Sequence, residues 1–352
     1  VPAPSFRYHA HGCSATEEDD APVRIGVVGV GRIGAHHARA LRPAVTELVI
    51  ADADAERARH LASEIGARAV DDVDALFSEE LDGVVIAAPT AAHPDLICRG
   101  VDAGFAVFCE KPAAPTLAET RDLIAKVGDR AERVQIGFHR RFDPGYRAAR
   151  RLVCDGALGW IHTLRATTCD ATPPSAEFIA GSGGIFRDCS VHDFDIIRWL
   201  TGRDIAEVFA VGSDRGAEFF AAAGDVSTGL AVVRLDDGTL GTVTASRYNG
   251  AGYDVRLEIL GSQRSVVVGL DDHAPLRSVE PSVDWPRATP HRDFMSRFAA
   301  AYREELLAFL DVAAGRQASP CTLDDALAAF VVAEACEVSR SEHRPVQITE
   351  LQ

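Results

Sequence analysis

The chain has 352 residues, more than one hydrophobic core usually serves, and at roughly 150 residues per domain this implies two domains with a cleft between them. Its 47% apolar and 25% charged residues are an ordinary globular composition, which argues against a disordered or fibrous chain. The formal charge of −16, with no Lys/Arg-rich run, argues against nucleic acid as a partner, and no apolar run approaches the roughly 20 residues that a membrane helix needs.

Residues 1–22 combine Pro, His and Ser with the acidic run Glu17–Asp20 and show no apolar periodicity, so a disordered tail is expected there. From Val23 a short apolar strand to Val28 runs into a glycine turn, Gly29–Gly34, and then a helix from Ala35. Strands are expected at 47–51, 69–70, 83–87, 106–109 and 134–137, with helices at 55–65, 73–77, 94–103 and 117–127 between them. Apolar strands alternating with amphipathic helices specify an α/β, doubly wound parallel sheet over 23–137. Over 138–352 strands at 161–168, 208–211, 226–235, 241–247, 255–261 and 264–268, several joined by short turns, predict a second α/β domain with a large open, mostly antiparallel sheet. Helices accompany it at 144–154, 188–200, 297–314 and 323–339, the last able to pack on either domain.

Gly29-Val30-Gly31-Arg32-Ile33-Gly34 matches G-x-G-x-x-G between a strand and a helix. The first glycine makes the turn, the second admits a pyrophosphate to the backbone, and the third lets helix and strand pack closely, with the helix amino terminus facing the phosphates. The competing reading is a tight loop without a ligand. Asp52 ends the next strand, 18 positions after Gly34, where a carboxylate accepts hydrogen bonds from the adenosine ribose and repels a 2′-phosphate. Ala53 and Asp54 bring no cation, so NAD is expected rather than NADP; alternatively Asp52 only caps the following helix, a role Asp54 fills equally well.

Lys111 follows a strand at the carboxyl edge of the parallel sheet, in a chain whose only other lysine is Lys126. A flexible ammonium can donate to a substrate oxygen, although a lone Lys also serves as a plain surface charge. Asp188 and His192 stand at i and i+4 of an expected helix, where the carboxylate can orient the imidazole as the base in an alcohol oxidation. The competing reading is a helix cap and a core histidine. Eight cysteines without a C-x-x-C pair read as reduced thiols and, with no charged amino end before an apolar run, place the chain in the cytoplasm. His9, His11, His36 and His37 have no metal-ligand spacing, so no metal is expected.

Together with Ala88-Pro89-Thr90, His93, Glu110-Lys111-Pro112, the run Gly137–Pro144 and Asp188–Asp195, these motifs resemble the glucose-fructose oxidoreductase and inositol dehydrogenase family (Gfo/Idh/MocA) over nearly everything after the tail. Phe138–Pro144 with Gly252-Tyr253-Asp254 is most similar to its inositol 2-dehydrogenase branch. The resemblance implies an NAD-dependent enzyme oxidising a secondary alcohol of a small cyclitol or sugar, and a homodimer or homotetramer formed through the open sheet. It implies that His192 is the base, Asp188 orients it and Lys111 holds the reacting oxygen. Arg32, Ile33, Thr90, His93 and Glu110 would contact the cofactor, and Arg140, Asp170, Asp195 and Tyr253 the substrate. His139, Cys169-Asp170-Ala171 and Cys189 depart from the branch's pattern and bear on which substrate is used. An NAD-recycling sugar oxidoreductase or glycosidase is the alternative enzyme, and a cofactor sensor the non-enzymatic one, although a sensor needs none of Lys111, Asp188 and His192.

Overall fold

The computed structural model describes residues 23–352, so the tail expected at 1–22 lies outside the described residues. The first part of the chain alternates β1 (Arg24–Val28), α1 (Arg32–Leu41), β2 (Glu47–Ala51), α2 (Ala55–Ile65), β3 (Arg68–Ala69), α3 (Val73–Phe77), β4 (Gly83–Ile86), α4 (His93–Asp102), β5 (Ala106–Glu110), α5 (Leu117–Val127) and β6 (Val134–Gly137). Local chemistry sets several of these boundaries. Asp54 accepts the Glu56 and Arg57 amides to start α2, left-handed Gly66 stops it, and Thr116 caps α5. The strands pair in parallel in the order β3-β2-β1-β4-β5-β6. The chain runs outward from β1 on one side and then crosses to β4 on the other, so a crevice opens at the carboxyl ends of β1 and β4.

The second part holds α6 (Pro144–Cys154), β7 (Ile161–Cys169), α7 (Ala176–Gly181), a π turn (Phe186–Ser190), α8 (Val191–Thr201), β8 (Ile205–Ser213), α9 (Phe219–Ala222), β9 (Thr228–Leu235) and β10 (Leu240–Ser246). It continues through β11 (Asp254–Gly261), β12 (Ser265–Val268), α10 (Phe294–Arg297), α11 (Ala299–Ala313), α12 (Leu323–Glu342) and β13 (Val346–Gln347). Seven strands form one sheet in the order β12-β11-β7-β10-β9-β8-β13. It is mixed, because β10 runs parallel to β7 while the other pairs are antiparallel. α8 packs on β7, and α12 on β8 and on α8. The other face leaves Phe209, Val211, Leu230 and Val232 between 39% and 43% exposed.

Two expectations need correction. The helix expected from Asp188 begins instead as a π turn and becomes α-helical only at Val191. The assignment of all of 138–352 to the second domain fails for α11, whose Leu306, Phe309, Leu310 and Ala313 share a core with Val23, Ile25, Val85 and Phe108 of the first sheet. Gly83 makes room for it, since a Cβ there would stand 3.0 Å from the Phe309 ring. α12 packs on both halves, touching α5 as well as α8 and β8. Among the described residues no helix is long and apolar enough to cross a membrane.

Phe309 is fully buried and meets the Phe108 ring edge-on at 5.8 Å, so it is the bolt between α11 and the first sheet. Replacing it with Ala is expected to lower the unfolding free energy by about 3–5 kcal/mol, read by urea denaturation. A loss below about 1 kcal/mol would show that α11 is not anchored there.

Candidate active site

The glycine turn has the shape its spacing implied. Gly29 lies at φ +86, and a Cβ on Gly34 would stand within 1.9 Å of the Gly29 carbonyl oxygen, so neither position accepts a side chain. A Cβ on Gly31 would meet nothing within 4 Å, which leaves open space over the start of α1. Gly31 caps α1 without a side-chain acceptor, leaving the first amides, from Arg32 and Ile33 onward, free to meet an anion. Asp52 Oδ2 accepts the Val30 amide at 2.6 Å and Oδ1 accepts the Asp54 amide at 2.8 Å. Helix capping falls to Asp54, so Asp52 is held at the strand end for another purpose. Ala53 and Asp54 bring no cation, but Arg57, in the first turn of α2, donates to Asp52 Oδ1 at 2.9 Å. These features fit a dinucleotide.

At the far edge of the crevice Lys111 Nζ donates to the Asp188 carbonyl and to Asp188 Oδ1, both at 2.9 Å. Arg247, just beyond β10 and 2% exposed, donates to Asp188 Oδ2 at 2.8 Å, to Asp170 Oδ2 at 3.1 Å and to Cys189 Sγ at 2.9 Å. Burial works to raise the Asp188 pKa, but Lys111 and Arg247 outweigh it and hold the carboxyl at about 2. Asp170 sits above its ordinary range because burial prevails over Arg247 there. Burial also raises the Tyr253 hydroxyl well above its usual value, keeping it a neutral donor.

His192, on the first turn of α8, meets the Phe138 and His139 rings edge-on at 5.6 and 5.1 Å. Its Nδ1 is buried without a partner. Burial drives its pKa well below 6.5, and the charges on Lys111 and Arg140 push the same way, so the imidazole is neutral at neutral pH. The expected orientation of His192 by Asp188 is not present, since both carboxylate oxygens are committed to Lys111 and Arg247. The π turn breaks the i, i+4 alignment that an α-helix would have given.

Three other expectations change. Asp195 is fully buried and gives both oxygens to Arg141, away from the crevice. His93, 1% exposed, bridges the carbonyls of Ala88 and Pro112 at 2.8 Å each, so it braces the loops that carry Thr90 and Lys111 rather than facing a ligand. Arg140 is buried against Asp193 and Thr168. The expectation for Glu110 is unchanged by its contact with His37 of α1 at 2.6 Å.

Arg247 was missed because nothing local marks it. It reaches Asp170 through the parallel pairing of β10 with β7, where Ser246 stands opposite Cys169, a contact between segments about 77 residues apart. His139, stacked on Tyr302 at 4.5 Å, was visible only as a departure from a pattern.

The Asp52 and Arg57 pair makes cofactor choice testable. Asp52→Ser is expected to weaken NAD binding about tenfold or more, the worth of a charge-assisted hydrogen bond. It should also strengthen NADP binding, because Arg57 is then free to meet the 2′-phosphate. Calorimetry with both dinucleotides decides it, and unchanged NADP affinity would remove the repulsive role of Asp52.

Residues 23–138 match the family described as "Oxidoreductase family, NAD-binding Rossmann fold", and residues 146–267 match the GFO/IDH/MocA C-terminal domain. A myo-inositol dehydrogenase of Streptomyces leeuwenhoekii is 39% identical over 330 residues, covering 90% of this chain and 98% of that protein. The crystal structure of a myo-inositol dehydrogenase from Corynebacterium glutamicum superposes with a TM-score of 0.86 at 34% identity, covering 93% of this chain and 99% of that one. The scyllo-inositol dehydrogenase of Lactobacillus casei, solved with bound NAD(H) and scyllo-inositol, superposes at 0.82 with 29% identity, covering 94% and 100%. The chain therefore belongs to the GFO/IDH/MocA oxidoreductase family, with NAD as the cofactor of its Rossmann domain.

Proposed function

We propose that the chain oxidises a secondary alcohol of an inositol-like cyclitol to the ketone, with His192 as general base. The observation that carries this reading is the placing of the Lys111 ammonium on Asp188, with the His192 imidazole packed against Phe138 and His139 four residues further along the chain. The inositol dehydrogenases among its relatives supply the substrate class. The glycine turn Gly29, Gly31 and Gly34 with Arg32 and Ile33 would hold the pyrophosphate, Asp52 the adenosine ribose, and Thr90 and Glu110 would line the nicotinamide side. NAD, when bound, supplies the acceptor for the hydrogen leaving the carbinol carbon.

An ammonium has three N–H donors, and Asp188 takes two of those on Lys111. The third is left for the substrate oxygen, where it stabilises the alkoxide-like charge as the hydroxyl proton departs. That proton goes to His192, and since Nδ1 is sealed it is taken at Nε2. Asp188 acts on Lys111 rather than on His192. Asp170 and Tyr253 serve as substrate hydroxyl contacts at the second-sheet side.

His192→Ala is expected to lower kcat by roughly two to four orders of magnitude, measured as NADH formation over a panel of cyclitols, aminocyclitols and hexoses. Because the base acts unprotonated and its pKa is depressed, kcat/KM for oxidation should stay level through neutral pH and past the ordinary imidazole value, falling only at more acidic pH. Near-normal turnover in the variant would sink the assignment, and product without accumulating NADH would favour an NAD-recycling reaction.

A second copy of the chain covers the open sheet in this reading. Phe209 pairs with Val232 and Val211 with Leu230 across β8 and β9, forming a contiguous exposed apolar face. Val232→Arg should convert the assembly to a smaller species by light scattering, and an unchanged mass would place the interface elsewhere. The free cysteines among the described residues support a cytoplasmic location.

A further inference from the structure

We propose that Phe294 is a positioning residue for the cofactor: its ring holds the Arg32 guanidinium at the amino end of α1, so that the second half of the chain helps to retain the pyrophosphate of NAD through a side chain of the first. This role rests on the proposed contact of Arg32 with that pyrophosphate. Arg32 is the first residue of α1, directly after Gly31, and it is exposed. Among the described residues no hydrogen bond or ion pair engages its guanidinium, in a chain whose formal charge of −16 offers carboxylates freely. Its partner is instead the Phe294 ring, whose centroid lies 5.0 Å from the Arg32 Cζ carbon. A ring at that distance attracts a cation and takes none of its N–H donors, so the donors that match paired phosphate oxygens stay available.

Phe294 is suited to this because α10 is fastened on its other sides to the substrate half. Asp293 caps α10 by accepting the Ser296 amide at 2.8 Å. Arg297 donates to Asp143 Oδ2 at 2.9 Å, and Asp143 in turn caps α6. Just before α10 the His291 carbonyl accepts the Tyr253 amide at 2.8 Å. A Cβ on Gly252 would stand 2.7 Å from Pro290, so the approach to α10 is pressed against the segment that carries Tyr253. Next to Phe294, at 6.3 Å, lies Tyr302 of α11, which meets the His36 ring edge-on at 5.4 Å. Arg32 and His36 are i and i+4, so one face at the start of α1 meets aromatic rings of α10 and α11 at two successive positions.

A long side chain at the exposed start of a helix is otherwise free to sample several rotamers, and ordering it on binding lowers affinity. A ring that orders it beforehand removes part of that cost. Because the ring belongs to the half that carries Tyr253, the same contact joins cofactor retention to the seating of the substrate side.

The test is calorimetric titration of the full chain with NAD and with ADP-ribose, which keeps the pyrophosphate and lacks the nicotinamide. Phe294→Leu, which fills space without a π face, is expected to raise the Kd of both about three- to fivefold, and Phe294→Tyr to keep it at the starting value. A purely structural role would be met by Leu as well as by Tyr, so undiminished affinity in the Leu variant overturns the proposal. A loss seen with NAD but not with ADP-ribose places the effect at the nicotinamide end and overturns it too. Arg32→Ala is expected to weaken both ligands about tenfold, and adding Phe294→Leu to it should then change Kd by less than about 1.5-fold, since the ring has no cation left to hold. A Leu cost that persists undiminished in the Arg32→Ala chain removes the positioning role and leaves the Arg32 contact standing. An Arg32→Ala chain that binds NAD normally removes that contact and the role of Phe294 with it.

Discussion

The ion bridge Lys111–Asp188–Arg247 is the constraint on which the site depends. It joins the carboxyl edge of the first sheet to the end of β10 in the second, through a carboxylate that neither sheet contributes. Three largely buried charges are costly to desolvate, and removing one partner of such a group typically costs about 3–5 kcal/mol because the others are left uncompensated. Asp188 stays ionised because its two cations overcome burial. With its carboxyl held at about 2 against an ordinary 3.8, it contributes roughly 2 kcal/mol of stability above pH 4 that is lost as the pH falls towards 2. The same carboxylate fixes the position of the Lys111 ammonium, and in the proposed reaction that positioning would be complete before the substrate arrives.

This arrangement separates two jobs that a shared carboxylate would have coupled. An imidazole hydrogen-bonded to Asp188 would have been drawn up in pKa. Left among Phe138, His139 and the charges of Lys111 and Arg140, His192 is instead kept neutral. In the proposed reaction, a neutral imidazole of lowered basicity is suited to taking a proton from a hydroxyl that the ammonium would make more acidic.

Much of the fold was legible because its signals are local. Apolar runs at β1, β2, β4 and β5, glycines where the backbone needs positive φ or close approach, and caps such as Asp54 and Thr116 each operate within a few residues. The place of Lys111, directly after β5 and beside a proline, was legible for the same reason. The misreadings are of another kind. The family resemblance made Asp195 a substrate contact, but its side chain is taken by Arg141, 54 residues earlier. Arg247 and α11 likewise owe their places to pairing and packing across the whole chain, which periodicity does not encode.

The π turn explains why the one error inside the catalytic cluster was made, and why the fold tolerates it. Spacing of four residues puts two side chains on one face only when each turn closes at i−4; a wider turn carries the earlier residue out of register. Gly183 and Gly184 enter the turn at φ +79 and +103, and a Cβ on Gly184 would stand 2.7 Å from Glu337 Oε1, so the approach is reserved for glycine. Asp188 is thereby swung towards Lys111 and Arg247, while His192, already within regular α-helix, keeps its own direction. The irregular turn is therefore the local backbone cost that lets one carboxylate serve both cations.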